Sequence, residues 1–378
     1  MSPLNSIVEE TAEYEAWLGG LIPLWQDDLD RKHQAMAAEP FAFFRATFYR
    51  WSQRFPRLCG SEADAPPILA VGDLHVENFG TWRDSEGRLV WGLNDFDEVA
   101  TIPYTNDLLR LATSARLALK AGRIDLTTSQ ACAAVLEGYV DGLRQGGQPM
   151  ILAEDDRWLR QIATTKLRDP VTFWAAMTRL PALNVPLRSS LRRRLVRELP
   201  RSMKDFRLQR RRAGLGSLGR ERVVALGKWQ GAYLAREVKA SAPSAWGWAH
   251  ALKPEVGAAD KLARGAVRCP DPFFRLRPDA VVRRLAPDCS RVVLADMTGQ
   301  RDDYRLLRAM GWETANIHLA NAGVVELVHK DLGDRPGDWL EDATRRMARG
   351  VMRDWKHWRT AYRKPAKRDR HAGPAETS

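Results

Sequence analysis

Apolar residues recur every three or four positions over three parts of the chain, which is the spacing of one face of an α-helix. The pattern predicts helices across residues 8–56 and across nearly all of residues 126–200. It also predicts one amphipathic helix over residues 338–362, with its apolar face packed on a core. Glycine and proline interrupt helices. In the first stretch, breaks are expected near Gly19-Gly20, Pro23 and Pro40.

Strand patterns occupy two other regions. "ILAV" (68–71) is typical of a short buried strand, and a hairpin is expected to turn at residues 84–87, before a helix that begins near Asn106. From residue 205 the chain alternates apolar and polar residues and turns at Gly227 and Gly231. Further predicted elements are the strands "AVVRRLA" (280–286), "RVVLADM" (291–297) and "VVELVHKDL" (324–332), and the helix "DDYRLLRAM" (302–310).

These elements predict an α+β fold with a large helical lobe and a smaller antiparallel β lobe. The polar tail is expected to be disordered. The expected parts are an N-terminal helical region (1–60), the polar loops with the helical lobe (61–204), a β-rich lobe (205–336), a C-terminal helix packed back on the helical lobe (337–362) and the tail (363–378).

Composition narrows the class of protein. No run approaches the ~18 apolar residues that a membrane span needs, and the four cysteines show no paired spacing. The sequence therefore predicts a globular protein of the reducing cytoplasm, without a membrane partner. Lys and Arg number 59 against 47 Asp and Glu, and much of the +12 excess lies in residues 187–212. That run contains no interleaved aromatic residues for stacking on bases, so a nucleic-acid partner is not expected.

The candidate chemistry begins with "VGDLHVENFG" (71–80). Asp73 and Asn78 have four residues between them, and Asp95 and Asp97 return on the far side of the predicted hairpin. In the protein-kinase template an Asp orients the acceptor hydroxyl, an Asn four intervening residues later binds Mg²⁺, and a later Asp binds a second Mg²⁺. The spacing therefore predicts Asp73 as the catalytic residue and Asn78, Asp95 and Asp97 as metal ligands.

The neighbouring polar residues receive lesser roles. His75 is interpreted as a structural loop histidine bonded to backbone, and Asp107 as a brace for the loop. Glu77 and Glu98 are interpreted as peripheral charges.

A second motif, "RRAGLGSLGRER" (211–222), contains a GxGxxG pattern. A Walker loop would need Lys and Ser or Thr where this chain has Arg220 and Glu221, and a Rossmann loop would open a helix, whereas "RERVVALGKW" favours a strand. A loop between strands, as in the kinase lid over the triphosphate, remains. The predicted ATP-binding residues are Gly214, Gly216, Ser217, Gly219, Arg220 and Lys239, and either Glu255 or Glu313 is the candidate partner of Lys239.

These motifs resemble known enzymes. "GDLHVENFG…NDFDEVATIPYTNDLLRLATS" is similar to the paired motifs of aminoglycoside phosphotransferases and choline kinases, although Val71 stands where those enzymes carry His. The likeness is closest to an uncharacterised bacterial family, domain of unknown function 2252, through "KHQAMAAEPFAFFR", "GDLHVENFG", "NDFDE" and "GLGSLGRER…VKAS". It is strong over residues 30–120 and moderate over residues 205–245.

The resemblance implies a two-lobed, protein-kinase-like fold. The glycine loop follows Asp73 by about 140 residues, although kinases place it first, so a circular permutation is expected. The implied activity is ATP- and Mg²⁺-dependent phosphoryl transfer to a small hydroxylated molecule; the acceptor, nucleotidyl transfer and the oligomeric state remain open. The alternatives are a metallophosphoesterase-like hydrolase and a non-catalytic, nucleotide-binding pseudokinase.

Overall fold

The computed structural model describes residues 4–152, 158–160, 169–289 and 302–362. It is a mixed α+β structure, and fourteen α-helices lie in the described residues. They are α1 (Ile7–Leu21), α2 (Gln26–Ala38), α3 (Pro40–Ala46), α4 (Phe48–Leu58), α5 (Gly60–Ala63), α6 (Thr105–Lys120), α7 (Thr128–Arg144), α8 (Pro170–Thr178), α9 (Ser189–Arg197), α10 (Ala245–Ala249), α11 (Ala258–Gly265), α12 (Asp303–His318), α13 (Val325–Asp334) and α14 (Trp339–Ala361).

The same residues contain ten strands, all paired antiparallel. They are β1 (Pro67–Ala70), β2 (Phe79–Arg83), β3 (Leu89–Leu93), β4 (Ala100–Pro103), β5 (Met150–Ile151), β6 (Phe206–Arg210), β7 (Arg222–Trp229), β8 (Ala232–Ala240), β9 (Arg275–Arg277) and β10 (Ala280–Leu285).

The strands form three sheets. β1 pairs with β4, and the hairpin of β2 and β3 is extended by β5. The other five strands form one sheet in the order β6-β7-β8-β10-β9, which we call the β lid. The predicted hairpin turn at residues 84–87 is confirmed, and Gly87 adopts the φ of 75° that such a turn requires.

Local sequence explains where the first helices begin and end. The Ser6 side chain accepts from the backbone N–H of Glu9, and the Glu9 side chain accepts from that of Ser6, so α1 begins with a capping box. The predicted break at Gly19-Gly20 is wrong, because α1 continues through both glycines to Leu21. The predicted breaks at Pro23 and Pro40 are confirmed, and Pro40 occupies the first turn of α3, where its missing N–H costs nothing.

An aromatic layer forms the core beneath the N-terminal helices. One face of α3 and α4 carries Phe41, Phe44, Phe48 and Trp51, all of them buried. The predicted C-terminal helix is confirmed as α14, which packs against α2, α4 and α6. Arg50 and Arg54 of α4 bind Asp354 of α14. The two ends of the described chain therefore share one helical layer, and α6 rests on it.

One predicted strand is wrong and two assignments lie outside the described residues. Residues 324–332 were expected as a strand, but Val325–Asp334 forms α13. Its β-branched residues favour a strand locally, yet Val328 is the buried residue of this helix and Leu327 is 55% exposed, so packing on one face decides the structure. The strand predicted at residues 291–297 and the tail from residue 363 fall outside the described ranges.

Candidate functional site

The polar loop, Gly72–Asn78, leaves β1 through a glycine that no other residue could replace. Gly72 has a φ of 81°, and a Cβ there would lie 2.4 Å from the carbonyl oxygen of Glu98. Residues with a side chain avoid this conformation, and no carbon atom fits at that distance. The polar loop therefore runs directly against the acidic loop, Asn94–Glu98.

Asp107, in the first turn of α6, holds the start of the polar loop. Its Oδ2 accepts a hydrogen bond from the backbone N–H of Val71 at 2.7 Å, and its Oδ1 accepts one from Gly72 at 2.9 Å. His318 Nε2 lies 3.1 Å from Asp107 Oδ2, and its Nδ1 lies 2.8 Å from the hydroxyl of Tyr139. All of these groups are buried. Asp107 therefore braces the loop, as expected.

Asp73 directs one carboxylate oxygen into the protein and the other toward the glycine loop. Its Oδ1 accepts from Nε and Nη2 of Arg110 at 2.7 and 2.6 Å, and that guanidinium lies 3.9 Å from the ring centre of Phe44. Its Oδ2 is 3.8 Å from the position of a Cβ on Gly216. Burial raises the pKa of Asp73 and Arg110 opposes the rise, so this carboxylate is more basic than an exposed aspartate.

The remaining polar side chains fix the shape of the polar loop. Asn78 Oδ1 accepts from the backbone N–H of His75 at 3.0 Å, and His75 Nδ1 accepts from the backbone N–H of Glu77 at 3.2 Å. His75 thus has the structural role expected of it. Glu77 is not peripheral, because it is buried and paired with Arg45 of α3. Asn78 could bind a cation only by sharing or releasing its oxygen.

The acidic loop holds the predicted lysine. Lys239 Nζ binds Asp97 Oδ2 directly and lies 3.9 Å from Asp95 Oδ1. Burial alone would raise the pKa of Asp97, but Lys239 and Arg220 lower it below the ordinary value, so Asp97 is ionised. The Asp95 side chain keeps 29% of its surface exposed. Asp95 is thus the more accessible carboxylate of the pair.

Neither glutamate predicted to pair with Lys239 reaches it. Glu255 accepts from the backbone N–H and hydroxyl of Thr101, both at 2.8 Å. Glu313 accepts from the backbone N–H of Leu93 at 3.0 Å. Both carboxylates satisfy backbone groups of neighbouring strands, and the acidic loop supplies the counter-charges of Lys239 instead.

The glycine loop, Gly214–Gly219, joins β6 to β7 and rests on the N-terminal helices. Gly214 and Gly219 have φ of 72° and 102°. A Cβ on Gly219 would lie 2.4 Å from Leu29 of α2, and one on Gly216 would lie 3.0 Å from the carbonyl oxygen of Arg45. These glycines therefore allow the loop backbone to approach α2 and α3 closely.

Ion pairs fasten the strand that leads into this loop to the start of α2. Asp28 binds both Arg210 and Arg212, which also contact the more exposed Asp27. The backbone N–H of Trp25 donates to the Gly219 carbonyl at 2.8 Å. We call this set of contacts the clasp. It closes the glycine loop over the polar loop.

Asp28→Ala is expected to lower the free energy of unfolding by about 1.5–3 kcal/mol, because it removes the buried acceptor shared by Arg210 and Arg212 and leaves these arginines only the exposed Asp27. The Asp28 side chain is 3% exposed, whereas that of Asp27 is 54% exposed. Asp27→Ala is the matched control and should cost less than about 1 kcal/mol. Urea unfolding measures both. Equal losses would show that burial of Asp28 does not hold the clasp.

Arg220 is buried between the glycine loop and the acidic loop. Its Nη2 lies 3.3 Å from Glu98 Oε1, while its Nε and Nη1 are buried without a hydrogen-bond partner among the described residues. Glu98 also accepts from the backbone N–H of Ala245 at 2.7 Å. Glu98 is therefore a buried junction between the loops and not the peripheral charge expected.

Burial raises the pKa of Glu98 to about 7, although Arg220 and the Ala245 N–H oppose the rise. A carboxyl whose folded-state pKa is raised contributes stability below its unfolded-state pKa, and this contribution is lost as pH rises through the folded-state value. Glu98→Gln should therefore become progressively more stable relative to the unchanged protein between about pH 5 and about pH 8. Urea unfolding across this range, with the exposed Glu86→Gln as control, tests the slope. A pH-independent difference would contradict the expectation.

The inner face of the β lid carries a charged cluster that sequence reasoning missed. Glu237 binds Arg222, Arg211 and Arg283, and these arginines hold its pKa well below the usual range despite its burial. Arg222 also donates to the Ser217 hydroxyl at 2.7 Å. Strand alternation offered the signal, because residues 237 and 239 are two apart and share a face of β8.

The three loops and the N-terminal helices together line one narrow pocket of about 40 Å³. Lys239 is not among the residues that line this pocket, but it binds Asp97, which is. Sequence reasoning also missed the contribution of α1, α3 and α4, because it predicted residues 8–56 only as helices. The residues that line the pocket include Tyr14, Arg45, Phe48, Tyr49, Asp73, Asn78, Asp95, Asp97, Gly214, Gly216, Ser217 and Arg220.

The described ranges contain no group of three or more His, Cys, Asp or Glu side chains arranged to hold a metal ion. Nor do they contain a helix that is long and apolar enough to cross a membrane. A cation at this pocket would therefore depend on two carboxylates together with an amide, phosphate or water.

Comparison with known proteins gives one match. Neither the curated proteins nor the solved structures contain a match to this chain. Residues 25–180 match the model of the family DUF2252, described as an uncharacterized protein conserved in bacteria. The matched segment contains the polar and acidic loops, Arg110 and Asp107, and it ends before the glycine loop.

Proposed function

We propose that this protein is an ATP- and Mg²⁺-dependent phosphotransferase with a kinase-like, circularly permuted arrangement, acting on a small hydroxylated molecule. The observation that carries the proposal is the meeting of three distant segments at one pocket. Gly216 lies against Asp73, and Lys239 lies against Asp95 and Asp97, although about 140 residues separate the first loop from the last.

The β lid supports a nucleotide triphosphate as the donor. In protein kinases the glycine loop covers the phosphates and the phosphate-binding lysine is on the third strand. Here the glycine loop joins the first and second strands of the β lid in chain order, and Lys239 is on the third. Among the described residues, Nε and Nη1 of the buried Arg220 have no hydrogen-bond acceptor, and Nη1 lies 4.0 Å from Asp97 Oδ2, so an anion at the pocket would satisfy both donors.

The acidic loop supports a hard cation. Asp95 has a partly exposed carboxylate, Asp97 is ionised, and Asn78 lines the same pocket. Oxygen ligands of this kind, completed by phosphate and water, suit Mg²⁺, which would neutralise charge on the transferring phosphate. Lys239 and Arg220 would then turn from Asp97 toward the phosphates.

Asp73 is the residue for the acceptor. Arg110 fixes one oxygen, so the other points at the place where an acceptor hydroxyl would lie beneath the glycine loop. Its raised pKa favours proton abstraction. Because the pocket holds only about 40 Å³, the glycine loop must move off α3 before a triphosphate enters.

A non-catalytic nucleotide-binding protein is the second candidate. The pairing of Asp73 with Arg110 favours it, since an adjacent guanidinium withdraws negative charge from a base. Nucleotide binding without phosphate release would support this candidate. The phosphoesterase alternative gains no support from the histidines. His75 lines the pocket but accepts from the backbone N–H of Glu77, and His250 and His318 are bound to Ser52 and Asp107.

A thermal-unfolding experiment with MgATP tests the proposal. A ligand at one hundred times its dissociation constant adds about 2.7 kcal/mol to the free energy of unfolding. We expect a shift of this size that requires Mg²⁺. Lys239→Met should lose the shift, and the exposed Lys228→Met is the matched control.

The stability of each variant without nucleotide is measured first, because Lys239 also neutralises Asp97. Absence of a shift with any nucleoside triphosphate would overturn the proposal. A shift retained in full by Lys239→Met would remove the phosphate-binding role of that lysine.

A further inference from the structure

A second, larger cavity lies between the β lid and the acidic loop. Its volume is about 680 Å³, within the range of small-molecule sites. Asp97 is the one described residue that lines both this cavity and the Asp73 pocket. We call it the rear cavity.

Four aromatic side chains line the rear cavity and make part of its surface apolar. Trp17 comes from α1, Phe96 from the acidic loop, and Trp246 and Trp248 from α10. Val281 of the β lid completes an apolar wall opposite them. Flat, rigid surfaces of this kind favour a ligand with an aromatic or aliphatic body.

The charges around the rear cavity favour an uncharged ligand. Asp97 is neutralised by Lys239, and Asp260 is paired with Arg264 at 2.7 Å. Glu255 accepts from Thr101 with both oxygens and is exposed to solvent. Lys253 and Arg277 also line the cavity, and both are exposed to solvent. Among the described lining residues no buried charge is left unpaired, so an ionised ligand group placed between the buried aromatic side chains would lose its hydration without gaining a counter-charge.

The walls of the rear cavity connect directly to the proposed active site. Phe96 and Asp97 belong to the acidic loop itself. On the other wall, the Ser244 hydroxyl donates to the Glu98 carbonyl at 2.9 Å, next to the bond from Ala245 to the Glu98 carboxylate. An occupant would therefore contact Phe96 and Asp97 of the acidic loop, together with Ser244, which is bonded to the last residue of that loop.

We propose that the rear cavity binds an uncharged small molecule with an aromatic or aliphatic body, and that this effector orders the acidic loop. A ligand shifts an equilibrium only through different affinities for two states. Contacts with Phe96 and Trp246 exist only while the acidic loop and α10 hold their present positions, so an occupant stabilises that arrangement.

The test uses two probes that share an aromatic body, the uncharged N-phenyl-1-naphthylamine and its sulfonated, anionic relative 1-anilinonaphthalene-8-sulfonate. We expect saturable, one-to-one fluorescence binding of the uncharged probe and binding of the anionic probe at least about tenfold weaker. Ala259→Trp, which places a large side chain in the cavity, should weaken the uncharged probe at least about tenfold. Lys261→Trp adds the same side chain on the exposed face of α11 and should leave binding unchanged.

A second readout addresses the acidic loop. Backbone amides of residues 94–98 should exchange hydrogen more slowly when the uncharged probe is bound, and Ala259→Trp should abolish this effect. Equal binding to Ala259→Trp and Lys261→Trp, tighter binding of the anionic probe, or unchanged exchange in the acidic loop would overturn the proposal. None of these measurements uses nucleotide, so their outcome is independent of whether ATP binds.

Discussion

Asp73→Asn is expected to slow the release of phosphate from MgATP by a factor of about 10²–10⁴ and to leave ATP affinity nearly unchanged. The substitution removes the proton acceptor, yet the amide oxygen can still accept from Arg110, which binds Oδ1 of the native side chain. The proposed phosphate contacts, Arg220 and Lys239, are untouched. Single-turnover phosphate release and equilibrium ATP titration measure the two effects separately.

Asp64→Asn is the matched control, because Asp64 is exposed in the segment before β1. It should change neither rate nor affinity. If Asp73→Asn weakened ATP binding as much as it slowed turnover, Asp73 would be a metal ligand or a structural residue. If turnover were unchanged, Asp73 would have no catalytic role and the non-catalytic candidate would gain.

Asp107→Ala is expected to lower the free energy of unfolding by about 3–5 kcal/mol, the range for removing one partner of a buried charged network. The change leaves the backbone N–H groups of Val71 and Gly72 buried without acceptors and removes the contact with His318. Each lost acceptor costs roughly 1–3 kcal/mol. Urea unfolding measures the loss.

Asp64→Ala serves as the control for this experiment and should cost less than about 0.5 kcal/mol. Asp107→Asn should fall between the two, since an amide oxygen can still accept one of the backbone hydrogen bonds. A loss below about 1 kcal/mol for Asp107→Ala would mean that the polar loop is held by its other contacts.

The sequence predicted which polar loop residues meet more completely than it predicted their surroundings. Spacing selected Asp73, Asn78, Asp95 and Asp97, and all four line one pocket with the glycine loop. Short polar motifs are informative because hairpins and tight turns bring their ends together with few alternatives. The sequence also predicted the bracing role of Asp107, since an acid in the first turn of a helix faces the loop before it.

Residues that complete the site from elsewhere could not be predicted. Arg110 lies on α6 between two leucines, and only the tertiary structure shows that its side chain binds Asp73. The partner of Lys239 was predicted as Glu255 or Glu313 because a kinase pairs this lysine with a glutamate. The observed partners, Asp95 and Asp97, had been assigned to a metal instead. Glu98 was interpreted as a peripheral charge because the burial of a charged residue depends on tertiary structure, which the sequence does not show.

Secondary structure was predicted correctly where the hydrophobic pattern is long, and the prediction failed where the pattern is short. The apolar positions of α14 recur over about six helical turns and so predict a helix without tertiary information, whereas residues 324–332 carry mixed signals that packing resolved as a helix. The two glycines at the end of α1 did not break it, because each glycine lowers helix stability by only about 1 kcal/mol.

The pairing of Arg50 and Arg54 with Asp354 has a consequence for how the protein is made. About 300 positions separate these partners, so the helical layer beneath the polar loop stays incomplete until the chain has been synthesised through α14. Long-range contacts of this kind slow folding, because a large loop must close before they form. A ribosome-bound chain that stops before α14 would expose the aromatic face of α3 and α4, and we expect such chains to need chaperones.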